Sequence, residues 1–277
     1  MRVDAHHHVW DLSVRDQDWI GPGSPIRRDF TVADLEGEAR AAGVDRTVLV
    51  QTVTVPEETP ELLRLAAEHE LIAGVVGWTD LTRPDVADEL ARLRGLPGGG
   101  HLKGIRHQVQ GEPDPGWLLR PDVRRGLAAV ADAGLVHDLV VLPHQLPACA
   151  EAAASLPHLT FVLDHLGKPP IATGEREPWA SRLRALAALP NTVAKLSGLV
   201  TEADHATWTT GDLRPYADTA LAAFGPDRLM FGSDWPVCTL AAGYGQVLET
   251  AEELTAGLSP AERTALFEGT ARRVYDL

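Results

Sequence analysis

The sequence of 277 residues is 44% hydrophobic, enough to bury one large α/β barrel core or two smaller ones. A formal net charge of −14 argues against nucleic acid or an anionic membrane surface as partner, since both need a basic footprint. No apolar run reaches bilayer length, no charged leader or apolar signal core precedes the first strand, and two cysteines without CxxC spacing support neither a disulfide framework nor a thiolate zinc site. The expected compartment is therefore the cytoplasm.

The first apolar run, "RVDAHHHVW", holds three adjacent histidines, too short for a purification tag and framed by Val3, Ala5 and Val9. Strand alternation places Asp4, His6 and His8 on one face and Val3, Ala5, His7 and Val9 on the other. Seven further strand candidates follow: "RTVLVQTV", "LIAGVVGW", "LKGIRHQV", "HDLVVLP", "LTFVLDHLG", "NTVAKLSGL" and "RLMFGSDW". Between them the spacing is helical, as in "VADLEGEARAAG", "DVRRGLAAVADAG" and "WASRLRALAAL". Thr31 and Asp34 mark the first helix start, Gly43, Gly134 and Gly225 follow helix ends, and Ser259, Pro260 and Glu262 open the last helical stretch.

Eight strands alternating with helices predict a single (β/α)8 TIM barrel domain over residues 1–277. An open doubly wound sheet would carry a phosphate-binding glycine loop after its first strand, and "HHHVWDLSVRDQDW" stands there instead. The segment from Asp11 to Asp29 reads as a structured loop above that strand. In a barrel, His6 and His8 point inward near the C-terminal mouth and can grip one ion, while His7 faces the helices. The other strand ends add Arg106, His107 and Gln108, then His144, Asp164 and His165, Lys195 and Ser197, and Ser233 and Asp234. Six strands ending in strongly polar groups are what a catalytic mouth requires.

In combination and in this order, "DAHHHVWD", "GIRHQVQ", "LDHLGKP" and "GSDWPV" resemble the amidohydrolase superfamily, in its branch of sugar-acid and muconate lactonases. The resemblance implies a barrel hydrolase with first-strand histidines at His6 and His8, a sixth-strand histidine at His165 and an eighth-strand aspartate at Asp234. It also implies a small-molecule substrate, a lactone of a sugar acid such as fuconate, rhamnonate or galactonate. Metal-dependent members place a histidine at the end of strand five or a carboxylated lysine on strand four. Here His144 follows a proline and Lys103 lies early in its strand, so one divalent ion, zinc for instance, held by His6, His8 and Asp234 is expected rather than two, with a metal-free cationic pocket as the alternative.

On this reading Asp234 is the general base for water and His165 and Arg106 are its catalytic companions. His107, Gln108, Trp78, Trp10 and His144 are candidate contacts to the sugar. Ser233 lacks the GxSxG setting of a serine hydrolase. The enzymatic alternative is a decarboxylase of the same barrel family acting on an unsaturated or aromatic acid, which would need a strand-five histidine at the metal.

Overall fold

The computed structural model describes residues 1–277. In chain order its elements are β1 (Val3–His7), α1 (Val32–Ala41), β2 (Arg46–Val50), α2 (Glu58–Glu68), β3 (Ile72–Gly77), α3 (Val86–Arg94), β4 (Leu102–His107) and α4 (Pro121–Asp132). There follow β5 (Val136–Leu139), α5 (Leu146–Ser155), β6 (Phe161–Leu163), α6 (Trp179–Ala187), β7 (Thr192–Leu196), α7 (Thr210–Phe224), β8 (Leu229–Phe231) and α8 (Tyr244–Leu254). The final stretch, expected as one helix, is α9 (Pro260–Thr264) and α10 (Thr270–Tyr275) joined by a π turn over Ala265–Gly269. No helix is long and apolar enough to cross a membrane.

The strands pair in parallel in sequence order, β1 to β8. The cylinder closes where β1 meets the end of β8: His7 bridges Trp235, His8 N–H donates to Trp235 O at 2.7 Å, and Asp234 N–H donates to His6 O at 2.8 Å. The fold is thus the expected (β/α)8 barrel. Helix starts carry the anticipated caps, with reciprocal bonds between Thr31 and Asp34 and between Ser259 and Glu262.

The alternation of each strand sorts two cores. Leu49, Ile105 and Leu163 face the helices in the larger one, whereas Val48, Val50, Val76, Val162 and Val193 fill the cylinder. Tyr275, from α10, joins this inner cluster and sends its hydroxyl up to Asp138 Oδ2 at 2.8 Å.

One feature of β1 departs from the expected alternation. From Asp4 to His7 the strand advances three residues while β2 advances two, from Thr47 to Leu49, so a β-bulge lies between them. Val3 and Ala5 join the inner cluster, and Asp4 instead accepts a hydrogen bond from Tyr244 of α8 on the outside. His6 and His8 share a face, as expected, but Asp4 is not on it. The extra residue shifts the phase of everything after it.

Because Asp138 is buried with Tyr275 as one of its two hydrogen-bond partners, Tyr275→Phe is expected to lower the unfolding free energy by about 1–3 kcal/mol, the cost of an under-satisfied buried acceptor. Urea unfolding reads this as a lower midpoint at unchanged slope. An unmoved midpoint would show that Asp138 does not depend on the hydroxyl.

Candidate active site

Past the bulge, His6 and His8 project into the C-terminal mouth, both buried. His8 Nδ1 lies 2.7 Å from Val50 O. A carbonyl can only accept, so His8 Nδ1 carries a proton and Nε2 is the ring nitrogen left to face the mouth. His6 Nε2 is 3.2 Å from His8 Nε2, and His6 Nδ1 faces Asp164 Oδ1 at 3.2 Å and Lys195 Nζ at 3.1 Å.

His165 arrives from a sharp turn after β6 in which His165 and Leu166 take φ of 53° and 52°. Such left-handed geometry costs a non-glycine residue about 1–3 kcal/mol. The turn is braced: Trp179 Nε1 donates to Leu166 O at 2.8 Å, and His165 Nδ1 pairs with Ser197 Oγ at 2.9 Å. Gly198 presses against the ring with φ 64°, and a Cβ there would fall 2.5 Å from His165 Nδ1, so only glycine fits. Asp234, at φ 58°, completes the mouth from β8.

The Nε2 atoms of His6, His8 and His165 lie 3.7, 3.6 and 3.7 Å from Asp234 Oδ1. These spacings are too long for hydrogen bonds. They gather three imidazole nitrogens about one carboxylate oxygen; the ligand atoms of His6, His8 and Asp234 all lie within 4.8 Å of one another, and those of His165 do so with His6 and Asp164. Burial would raise the Asp234 pKa, but His165, His8 and His6 outweigh it and hold the group below the usual carboxylate range. Burial lowers the pKa values of His6 and His165 against the pull of Asp164 and Asp234. Neutral imidazoles beside an ionised carboxylate are the donor set a divalent ion such as zinc takes, so the residues present fit the metal.

Beneath His6 lies a dry network of charges. Lys195 Nζ is 2.6 Å from Asp138 Oδ2 and 2.9 Å from Asp164 Oδ1, and Arg106 Nη1 is 2.9 Å from Asp164 Oδ2. Burial raises the Asp138 pKa to about 6 against the pull of Lys195. Burial acts the same way on Asp164, yet Lys195, His6 and Arg106 together hold it well below its ordinary value. Arg106 Nε and Nη2 donate to Gln51, Nη2 reaching Oε1 at 2.8 Å, and Nη1 also lies 3.5 Å from His6 Nε2.

The other expected residues have partners of their own. Trp78 Nε1 donates to His107 Nδ1 at 3.0 Å, His107 Nε2 therefore donates to Glu112 at 2.7 Å, and the ring stacks on Trp117 at 4.1 Å. Gln108 donates to Thr52 O. Trp10 donates to Arg28 O at 2.7 Å and packs edge-on against Trp19 and Phe30. His144 sits exposed on a short turn, Pro143–Gln145. A cavity of about 400 Å³ lined by Trp10, Phe30, Arg15 and Glu61 lies aside from the histidines, none of which borders it. Sequence reasoning assigned no role to Lys195 and overlooked Asp138, Gln51 and Tyr275. A charged residue inside each of the apolar runs "HDLVV" and "TVAKL" is the signal that could have found the first pair.

A family profile described as an amidohydrolase matches residues 3–277. The chain is similar to the L-fucono-1,5-lactonases of Burkholderia multivorans, at 42% identity over 100% of this chain and 96% of that one, and of Burkholderia ambifaria, at 38% over 99% and 95%. A crystal structure of an amidohydrolase from Burkholderia multivorans with bound zinc superposes with a TM-score of 0.92 at 42% identity, covering 100% of this chain and 99% of that one.

Protein stripped with chelator and titrated with zinc is expected to take up about one equivalent per chain. His6→Ala and His8→Ala should each abolish stoichiometric uptake, whereas His7→Ala, whose ring turns away to Thr47, should keep it. Equal uptake by all three variants would remove His6 and His8 from the ligand set.

Proposed function

The chain belongs to the amidohydrolase family, and from that premise we propose that it is a lactonase, opening the ring of a sugar-acid lactone such as L-fucono- or L-rhamnono-lactone with an activated water. The observation that carries this reading is the convergence of three imidazole Nε2 atoms on Asp234 Oδ1 at 3.6 to 3.7 Å. It is supported by the full-length likeness to two L-fucono-1,5-lactonases. The whole of residues 1–277 serves as one catalytic domain, and we assign it to cytoplasmic carbohydrate catabolism.

His6, His8 and Asp234 would hold one divalent ion, with zinc the first choice and His165 beside it. When bound, the ion supplies Lewis acidity toward the lactone carbonyl. Asp234 turns Oδ1 toward the imidazoles, leaving Oδ2 to accept the proton of the attacking water. The water oxygen bonds to the acyl carbon, the ring C–O bond breaks, and Asp234 returns the proton to the departing ring oxygen. His165, steadied by Ser197, donates toward the developing oxyanion. Arg106 contributes through His6, both by way of Asp164 and from its own Nη1, 3.5 Å from His6 Nε2, since the rest of its guanidinium is committed to Asp164 and Gln51.

Around the lactone, Trp78, His107 and Gln108 form a stiff wall at the ends of β3 and β4, His144 approaches from the turn after β5, and Trp10 supports the loop above β1. A decarboxylase with a strand-five histidine at the metal is less well supported. The histidine of β5, His137, packs against Phe161, and the strand offers Asp138 to Lys195 instead.

Hydrolysis releases acid. A panel of aldonolactones in weak buffer with a pH indicator therefore identifies the activity, and a panel without acid release would reject it. Asp234→Asn, with zinc content verified, is expected to lower kcat about a hundredfold or more with much less effect on KM. Near-normal turnover in that variant would transfer the base role to His165.

A further inference from the structure

The carboxylate of Asp4 has no exposed surface and makes no hydrogen bond to the side chains of His6, His8, His165 or Asp234 or to the charge network below them. It nevertheless has four hydrogen-bond donors. Oδ1 accepts from His6 N at 3.1 Å and Ser233 N at 2.8 Å, and Oδ2 accepts from Ser233 Oγ at 2.6 Å and the Tyr244 hydroxyl at 3.0 Å. A carboxylate has about four acceptor positions, so this one is full.

The four bonds are not scattered. The His6 amide lies inside the bulge of β1, and Asp4 takes its hydrogen bond while the extra residue turns His6 inward. On the other side, Ser233 Oγ accepts from Trp235 N at 3.0 Å, and Asp234 N donates to His6 O at 2.8 Å. Asp234, held at φ 58°, is therefore bracketed before and behind by groups anchored on Asp4.

We propose that Asp4 is a positioning residue: from outside the barrel its carboxylate fixes His6 and Asp234, which come from the first and last strands, in the mutual geometry that metal binding requires. This rests on the metal reading given above. Partners behind the ligands commonly govern metal affinity as strongly as this, since they set the ligand orientation before the ion arrives. A merely structural Asp4 would affect stability alone.

The test compares zinc affinity, by competition with a chromophoric chelator, in full-length protein carrying Asp4→Asn, Tyr244→Phe or Tyr216→Phe. Tyr216 is a buried control whose hydroxyl donates to Glu175 O at 3.0 Å, away from the mouth. Tyr244→Phe is expected to weaken zinc about tenfold and Asp4→Asn about a hundredfold, with Tyr216→Phe unchanged. Wild-type affinity in both Asp4→Asn and Tyr244→Phe, or an equal loss in the control, overturns the proposal. Should Asp4→Asn not fold, Tyr244→Phe decides alone. If the wild type takes up no zinc, the metal reading falls by itself. In that case kcat at saturating lactone is read instead: a roughly tenfold loss in Tyr244→Phe upholds the positioning of Asp234, and an unchanged kcat overturns it.

Discussion

Lys195 carries a charge with no exposed surface, and Asp138 and Asp164 hold it from two sides at 2.6 and 2.9 Å. Stripping such ions of water costs several kcal/mol each, and only close, fully hydrogen-bonded partners offset it. The rest of the interior is arranged to supply most of them, though Asp138 Oδ1 keeps no hydrogen-bond partner. Arg106 balances the second carboxylate, Gln51 accepts from its Nε and Nη2, and Tyr275 reaches up from α10 to Asp138. The network stands as two cations against two carboxylates, and His6 rests on it as a neutral ring.

That floor explains how the mouth tolerates local strain. His165, Leu166 and Asp234 all adopt left-handed backbone, a conformation that bulky residues avoid unless the surroundings over-determine them. Here they do, through the Trp179 indole behind Leu166, the Gly198 backbone against His165 and the Ser233 hydrogen bonds beside Asp234. The site is thus held by rigid elements, so little reorganisation remains when charge develops on a substrate oxygen.

Much of this could be read from the chain. The eight apolar runs became the eight strands because buried parallel strands leave a strong hydrophobic trace. His6 and His8 face the mouth because the bulge, which contains His6, turns that ring inward and His8 follows two residues on. Asp4 was assigned to the wrong face since nothing in "DAHH" marks a bulge: no glycine, no proline, only one residue too many for the register. Asp138 and Tyr275 escaped notice for another reason. Their meaning lies in each other, and contacts 137 residues apart leave no local pattern. Arg106 was found, but its direction was not, because a guanidinium aimed at substrate and one aimed at Asp164 look alike in sequence.

Closure of the cylinder joins residues 229 apart, Asp4 and Ser233. During synthesis β1 leaves the ribosome first and must then wait for β8, roughly 10–50 s at ordinary elongation rates. Through that interval one edge of β1 has no permanent neighbour, while β2 already covers the other. An unpaired apolar strand edge is a template for wrong pairing. The same bond that completes the barrel therefore makes its first strand the last to be protected, which places the burden of chaperoning on the amino-terminal half of the nascent chain.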